Sequence, residues 1–105
     1  MKHLLIILIS FLLLSSPVIG DSHKGETLYG WGNTLPYVWK VVGDKETHPV
    51  YKGDVKNGKP NGHGTLTTPY GGKYVGQFKD GKRWNGIIVD KEGNIIGKWL
   101  NGKEQ

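Results

Sequence analysis

The stretch Tyr51–Gly64, YKGDVKNGKPNGHG, is followed 23 residues later by a stretch of the same design, Tyr74–Ile87, YVGQFKDGKRWNGI. Both begin with a tyrosine and keep glycine at the third and eighth positions. A shorter copy, IIGKWLNGK, runs from Ile95 to Lys103. A fixed period on the order of 20 to 50 residues is typical of a repeat array. The sequence therefore predicts a small structural unit that is used three times.

Bulky and small or polar residues alternate at the start of each copy. One face is formed by Tyr51, Gly53 and Val55 and, in the second copy, by Tyr74, Gly76 and Phe78. Alternation of aromatic and β-branched residues predicts strands and not helices. Because a glycine normally weakens a strand, we expect the central glycine to leave room for a ring from the neighbouring unit.

Turn signals follow each of these strands. Asn-Gly and Asp-Gly pairs, at Asn57–Gly58 and Asp80–Gly81, favour two-residue hairpin turns because both residues tolerate positive φ. Return strands are predicted at His63–Thr68 and Ile87–Asp90, and second turns at 69–72 and 91–94. The predicted fold class is all-β, a single antiparallel, twisted sheet of stacked β-hairpin repeats.

These repeats resemble the MORN repeat family, whose motif runs Y-x-G-x-[FW]-x-x-G-x-x-x-G-x-G. The first copy fits with Tyr51, Gly53, Gly58, Gly62 and Gly64, and the second with Tyr74, Gly76, Phe78, Gly81 and Gly86. In the second copy Ile88 stands in place of the last glycine, and one residue is inserted around Trp84. The resemblance implies attachment to proteins and, in some members, association with membranes through acidic lipids.

The chain divides into three parts. Residues 1–20 predict a secretory signal peptide, since a basic start leads into the apolar run Leu4–Leu14, which is shorter than the roughly 20 residues of a membrane span. A retained membrane anchor is the alternative. Residues 21–48 are expected to form a tail (21–26) and atypical capping strands (37–42), and residues 49–105 the repeats 51–73, 74–94 and a partial 95–105. We therefore expect an exported protein, periplasmic or extracellular, that folds without disulfides because it has no cysteine.

Little in the sequence favours catalysis. The four histidines make no metal-ligand spacing, and there is neither a cysteine nucleophile nor a G-x-S-x-G elbow. The glycines do not match a phosphate-binding loop. We expect no enzyme, with no catalytic, cofactor-binding or metal-binding residues; a hydrolase that uses paired carboxylates is the most distant alternative.

Basic residues recur beside the turns. Lys59, Lys82 and Lys103 follow the same Asn/Asp-Gly pair in each copy, and Arg83 adjoins the second, in a chain of formal net charge +5. A regular row of cations suits an anionic surface such as phospholipid headgroups. The alternative is a solvated lysine row that prevents edge-to-edge pairing of sheets. Nucleic acid is not expected for an exported protein of this modest charge.

Trp84, beside Arg83, is expected in a hairpin loop. It either anchors a sugar ring, a lipid interface or a protein surface, or folds back over the end of the sheet. The predicted function is a non-catalytic, exported binding module for a protein partner or an anionic envelope surface, through Lys59, Lys82, Arg83, Trp84 and Lys103. The alternative is a carbohydrate-binding module that uses exposed tryptophans, Trp84 and Trp31.

Overall fold

A computed structural model describes residues 22–33 and 35–105. This part of the chain forms one antiparallel sheet of eight strands in the order β2-β1-β3-β4-β5-β6-β7-β8. The strands are β1 Ser22–Trp31, β2 Val38–Lys40, β3 Val50–Lys56, β4 Lys59–Thr67, β5 Lys73–Lys79, β6 Lys82–Val89, β7 Ile95–Leu100 and β8 Lys103–Glu104. The predicted all-β fold is confirmed. None of the described residues belongs to a helix that could cross a membrane.

Three tight turns lie at one end of the sheet, which we call the turn end. They join β3 to β4, β5 to β6 and β7 to β8, and each consists of an Asn or Asp followed by Gly. Both residues of every turn have positive φ, as in Asn57 (55°) and Gly58 (75°). Such turns match the twist of the flanking strands. The predicted hairpins are therefore present in all three copies, including the partial one.

The core lies on one face of the sheet and is built from rings. Tyr51 is completely buried, and its ring centroid lies 4.9 Å from that of Phe78 in the next hairpin. Phe78 also packs 4.9 Å from Tyr74 in its own hairpin. The other buried hydrophobic residues are Leu28, Val55 and Leu66. These edge-to-face contacts join successive hairpins.

Each core tyrosine also bonds to the backbone of its own strand. The Tyr51 hydroxyl donates to the carbonyl oxygen of Asp54 at 2.6 Å, and the Tyr74 hydroxyl donates to that of Gln77 at 2.7 Å. A buried hydroxyl needs such a partner, because leaving it unpaired costs about 1–3 kcal/mol. The same contact at the same offset shows that the two repeats are structural equivalents.

The motif glycines at the ends of the repeats make room for rings of their own hairpin. A Cβ on Gly64 would overlap the Tyr51 ring, and a Cβ on Gly86 would overlap the Tyr74 ring. The central glycine acts differently, since Gly76 has φ +151° and a Cβ there would lie 2.5 Å from Gly86 Cα. The expectation that the central glycine accommodates a ring from the neighbouring unit is wrong. It allows close approach of the return strand instead.

The strand register also corrects the alignment of the two repeats. Gly53 pairs with Gly64, and Gly76 pairs with Gly86, so Gly86 is the equivalent of the last motif glycine. Ile88 pairs with Tyr74, just as Leu66 pairs with Tyr51. Residues 61–63 bulge in β4, whereas only residues 84 and 85 bulge in β6. The second repeat has therefore lost one residue around Trp84 and has not gained one.

The N-terminal part differs from the prediction. Residues 22–26, expected as a tail, belong to β1, which pairs with β3 and extends the sheet. The strand expected over 37–42 is confined to β2, and Tyr37 and Trp39 pack against the core. The predicted signal peptide, residues 1–20, lies outside the described residues.

Substitution of the central glycine tests the close approach of the strands. We expect Gly76→Ala to lower the free energy of unfolding by about 1–3 kcal/mol through overpacking, with a further cost of about 1–3 kcal/mol from its positive φ. Gly72→Ala is the matched control, because a Cβ there meets its nearest atom, the Val89 carbonyl oxygen, at 3.4 Å. Urea unfolding measures both variants. Equal stability of the two variants would contradict the close approach of β5 and β6.

Alkaline unfolding tests the buried tyrosines. Burial raises the pKa of Tyr51 and of Tyr74 above the ordinary value near 10. Because the folded state disfavours the phenolates, their contribution to stability is complete below about pH 10 and is lost as the pH rises further. We expect Tyr51→Phe to reduce stability at pH 8 by about 1 kcal/mol and to make the alkaline loss less steep. Tyr70→Phe, at a residue 88% exposed, should leave the pH profile of the melting temperature unchanged.

Candidate functional site

Basic residues gather at the turn end because the hairpins repeat. Lys59, Lys82 and Lys103 each begin the strand that follows a tight turn, and all three side chains are exposed. Successive positions lie two strands apart, a spacing of about 10 Å from the usual strand separation. Two of them face another lysine directly, since Lys59 pairs with Lys56 and Lys82 pairs with Lys79. The turn end is thus dense in positive charge.

A groove of about 550 Å³ opens at this end, and we call it the basic groove. Four of the five predicted site residues line it together. Its principal lining side chains are Lys79, Lys82, Arg83, Trp84, Trp99 and Lys103. Lys59 lies outside the groove, beside the first turn. The structure therefore gathers most of the predicted residues, but around aromatic rings and not along a flat edge.

Arg83 is the most constrained cation in the basic groove. Its guanidinium carbon lies 4.3 Å from the centroid of the Trp99 ring, a cation–π arrangement. Burial lowers the pKa of Arg83, while the nearby Glu104 carboxylate opposes that shift. The Nε of Arg83 and the Nε1 of Trp99 are buried and lack a hydrogen-bond partner within the described residues. Two buried donors that stay unpaired cost stability.

Trp84 lies in the bulge of β6, so its predicted place in a hairpin loop is wrong. The side chain is half-buried, and a Cβ on Gly102 would meet the ring at 2.9 Å, which shows that the ring covers the third turn. The Lys79 ammonium lies 4.5 Å from the ring centroid. Of the two alternatives for Trp84, its position therefore agrees with the one in which the ring folds back over the end of the sheet.

Trp31 also makes contacts within the protein. Its ring stacks on His48 at 4.0 Å between centroids, and its Nε1 donates to the carbonyl oxygen of Val42 at 2.9 Å. The Lys40 ammonium lies 4.7 Å from the ring centroid. Both tryptophans assigned to carbohydrate binding are half-buried, so the prediction that they are exposed is wrong.

Two asparagines have a structural role that was not predicted from the sequence. Asn61 Oδ1 accepts from the backbone N–H of Asp80 at 3.1 Å, and Asn85 Oδ1 accepts from that of Asn101 at 2.7 Å. Each asparagine thereby fastens the following turn to the preceding hairpin. The sequence feature that could have indicated this role is the second Asn-Gly pair of each repeat, 61–62 and 85–86. By itself such a pair indicates only a turn.

The described residues contain no group of three or more histidine, aspartate or glutamate side chains that could hold a metal ion. Asp90 accepts hydrogen bonds from the backbone N–H groups of Glu92 and Asn94. These bonds lower the pKa of Asp90 and give it a role in the turn between β6 and β7. The expected absence of catalysis stays a prediction.

Comparison with known proteins agrees with the repeat geometry. The family model of the MORN repeat matches residues 51–73 and 74–84. Neither the curated proteins nor the solved structures that were compared gave a match. MORN repeats are generally modules that bind proteins or membranes. The match over residues 51–84, which carry Tyr51 and Tyr74, supports assignment of this segment to the MORN repeat family.

Proposed function

We propose that the protein is an exported, non-catalytic module that binds an anionic envelope surface through the turn end. The observation that carries this proposal is the gathering of Lys79, Lys82, Arg83 and Lys103 around two tryptophan rings in one groove. Cations attract phosphate or carboxylate groups, and tryptophan suits an interface that is apolar on one side and wet on the other. Export rests on the signal-like residues 1–20.

The energetic cost of placing lysines opposite each other at the turn end supports a role in binding. Lys56 faces Lys59, and Lys79 faces Lys82, on adjacent strands. Like charges that lie directly opposite each other destabilise a sheet. The chain repeats this unfavourable pair in both complete hairpins. An anionic partner would remove the repulsion.

Vesicle sedimentation tests the proposal. We expect the protein to sediment with vesicles of phosphatidylcholine containing phosphatidylglycerol, to bind pure phosphatidylcholine weakly, and to dissociate at high salt because screening weakens exposed charges. Replacement of two groove cations, Lys82→Gln with Lys103→Gln, should weaken binding about thirtyfold, from roughly 1 kcal/mol for each cation.

The matched control replaces two lysines that lie neither in the basic groove nor beside a tight turn, Lys52→Gln with Lys73→Gln. Its net charge equals that of the groove variant, so a general effect of charge would weaken binding equally in both. Equal loss in the two variants, or equal binding to both kinds of vesicle, would reject the turn end as the binding surface. A protein partner would then be the remaining interpretation of the family's general role.

A charge reversal separates stability from binding. Lys59→Glu places opposite charges on the directly paired positions 56 and 59, so the free energy of unfolding should rise by about 0.2–1 kcal/mol. Binding to the anionic vesicles should fall, since the turn end loses a cation and gains an anion. Thermal melts and sedimentation measure the two effects, with Lys59→Gln expected to be intermediate in both. A less stable Lys59→Glu protein would show that the lysine pair is not repulsive.

A further inference from the structure

A second groove, of about 880 Å³, lies on the face of the sheet opposite the core, and we call it the outer groove. Strands β1, β3, β4 and β5 form its floor, and the segment 41–45 forms part of its wall. Lys45, Lys52 and Lys73 are among the described residues that line it, and none of those residues is acidic. The charged side chains that line the outer groove are therefore all positive among the described residues.

Hydroxyl groups lie between these lysines because of the strand register. Thr27 faces Lys52, Lys52 faces Thr65, and Thr67 faces Lys73 on neighbouring strands. Neighbouring strands are about 4.8 Å apart, so ammonium and hydroxyl groups alternate at that spacing. A hydroxyl both donates and accepts hydrogen bonds, whereas an ammonium only donates. Together they suit a ligand that carries many hydroxyls and regularly spaced negative charges.

The border of the outer groove adds an aromatic ring. Tyr70 occupies the turn between β4 and β5, whose residues Pro69 and Gly71 line the groove, and its side chain is 88% exposed. An exposed ring with an apolar body and a polar tip can cover the apolar face of a sugar while its hydroxyl stays hydrated. Tyr29 of β1 also lines the outer groove, so the floor contributes a second aromatic ring.

We propose that the outer groove binds an acidic polysaccharide, a glycan strand that carries carboxylate or sulfate groups. The lysines pair with the acidic groups, the threonines bond to the sugar hydroxyls, and Tyr70 covers a ring at the border. The outer groove shares no lining residue with the basic groove, so it does not depend on the proposed binding of an anionic surface. It also uses neither Trp84 nor Trp31.

Three polymers serve as probes in isothermal titration calorimetry with the full-length protein. Polygalacturonate carries hydroxyls and carboxylates, polyglutamate carries carboxylates without sugar rings, and dextran carries hydroxyls without charge. We expect polygalacturonate to bind about tenfold or more tightly than either of the others, because only it uses both kinds of lining group. Equal affinity for polygalacturonate and polyglutamate, or no binding of polygalacturonate, would overturn the proposal.

Two charge-matched double variants locate the site. Lys52→Gln with Lys73→Gln should weaken polygalacturonate binding about tenfold or more, as expected for the loss of two charge-assisted bonds. Lys82→Gln with Lys103→Gln, in the basic groove, should leave it unchanged within about twofold. Equal loss in both variants would show that the polymer senses only net charge and would overturn the proposal.

A hydroxyl deletion completes the test. Thr65→Val keeps a β-branched side chain of similar shape but removes the hydroxyl, so it should weaken polygalacturonate binding severalfold and leave polyglutamate binding unchanged. An unchanged affinity for polygalacturonate would argue against sugar contacts in the groove. The lysine variants of the outer groove should still sediment with anionic vesicles, so failure of either proposal leaves the other testable. Thermal melts of every variant exclude unfolding as the cause.

Discussion

The sheet depends on the placing of a buried tyrosine ring over a glycine of the adjacent strand. Tyr51 lies over Gly64 and Tyr74 over Gly86, and in both hairpins the hydroxyl is bonded to the strand that carries the ring. A side chain at the glycine would displace the ring, and loss of the ring would remove the contact with Phe78 in the second hairpin. Because the core lies on only one face of this single sheet, the rings of Tyr51, Tyr74 and Phe78 supply most of it. Each repeat thus contains both the tyrosine ring and the glycine that makes room for it.

The same repetition concentrates charge without a separate binding domain. Every second strand begins just after a tight turn at the same end, so one lysine in the repeat becomes a row across the sheet. The missing residue in β6 then breaks the symmetry, since the shorter bulge contains Trp84 and lies next to Arg83. A bulge turns side chains away from their regular direction. The basic groove forms at this irregular hairpin, where the repeat departs from its own pattern.

The two faces of the sheet offer different chemistry. The core face presents buried rings, whereas the outer face presents threonines and lysines in register, and the basic groove lies at the turn end. Strand alternation produces this division, since residues that follow one another point to opposite faces. A sheet of this kind can hold two ligands at once, because the basic groove and the outer groove share no lining residue and the ligands do not compete for the same side chains. An envelope surface and a glycan strand would be compatible partners.

The fold class, the three turns and the core positions of Tyr51, Tyr74 and Phe78 could be predicted from local sequence, because alternation and Asn/Asp-Gly pairs act over a few neighbouring residues. The grouping of Lys82, Arg83 and Lys103 also followed, since a repeat places equivalent residues at one end. The alignment of the second hairpin with the first could not be predicted. The spacing of the glycines in the sequence is compatible with either an insertion or a deletion, and only the pairing of Gly76 with Gly86 distinguishes the two. The strand at 22–26, the turn of Trp84 toward Gly102 and the outer groove all depend on contacts between distant segments. Such contacts arise when strands pair, which is why local patterns carried no sign of them.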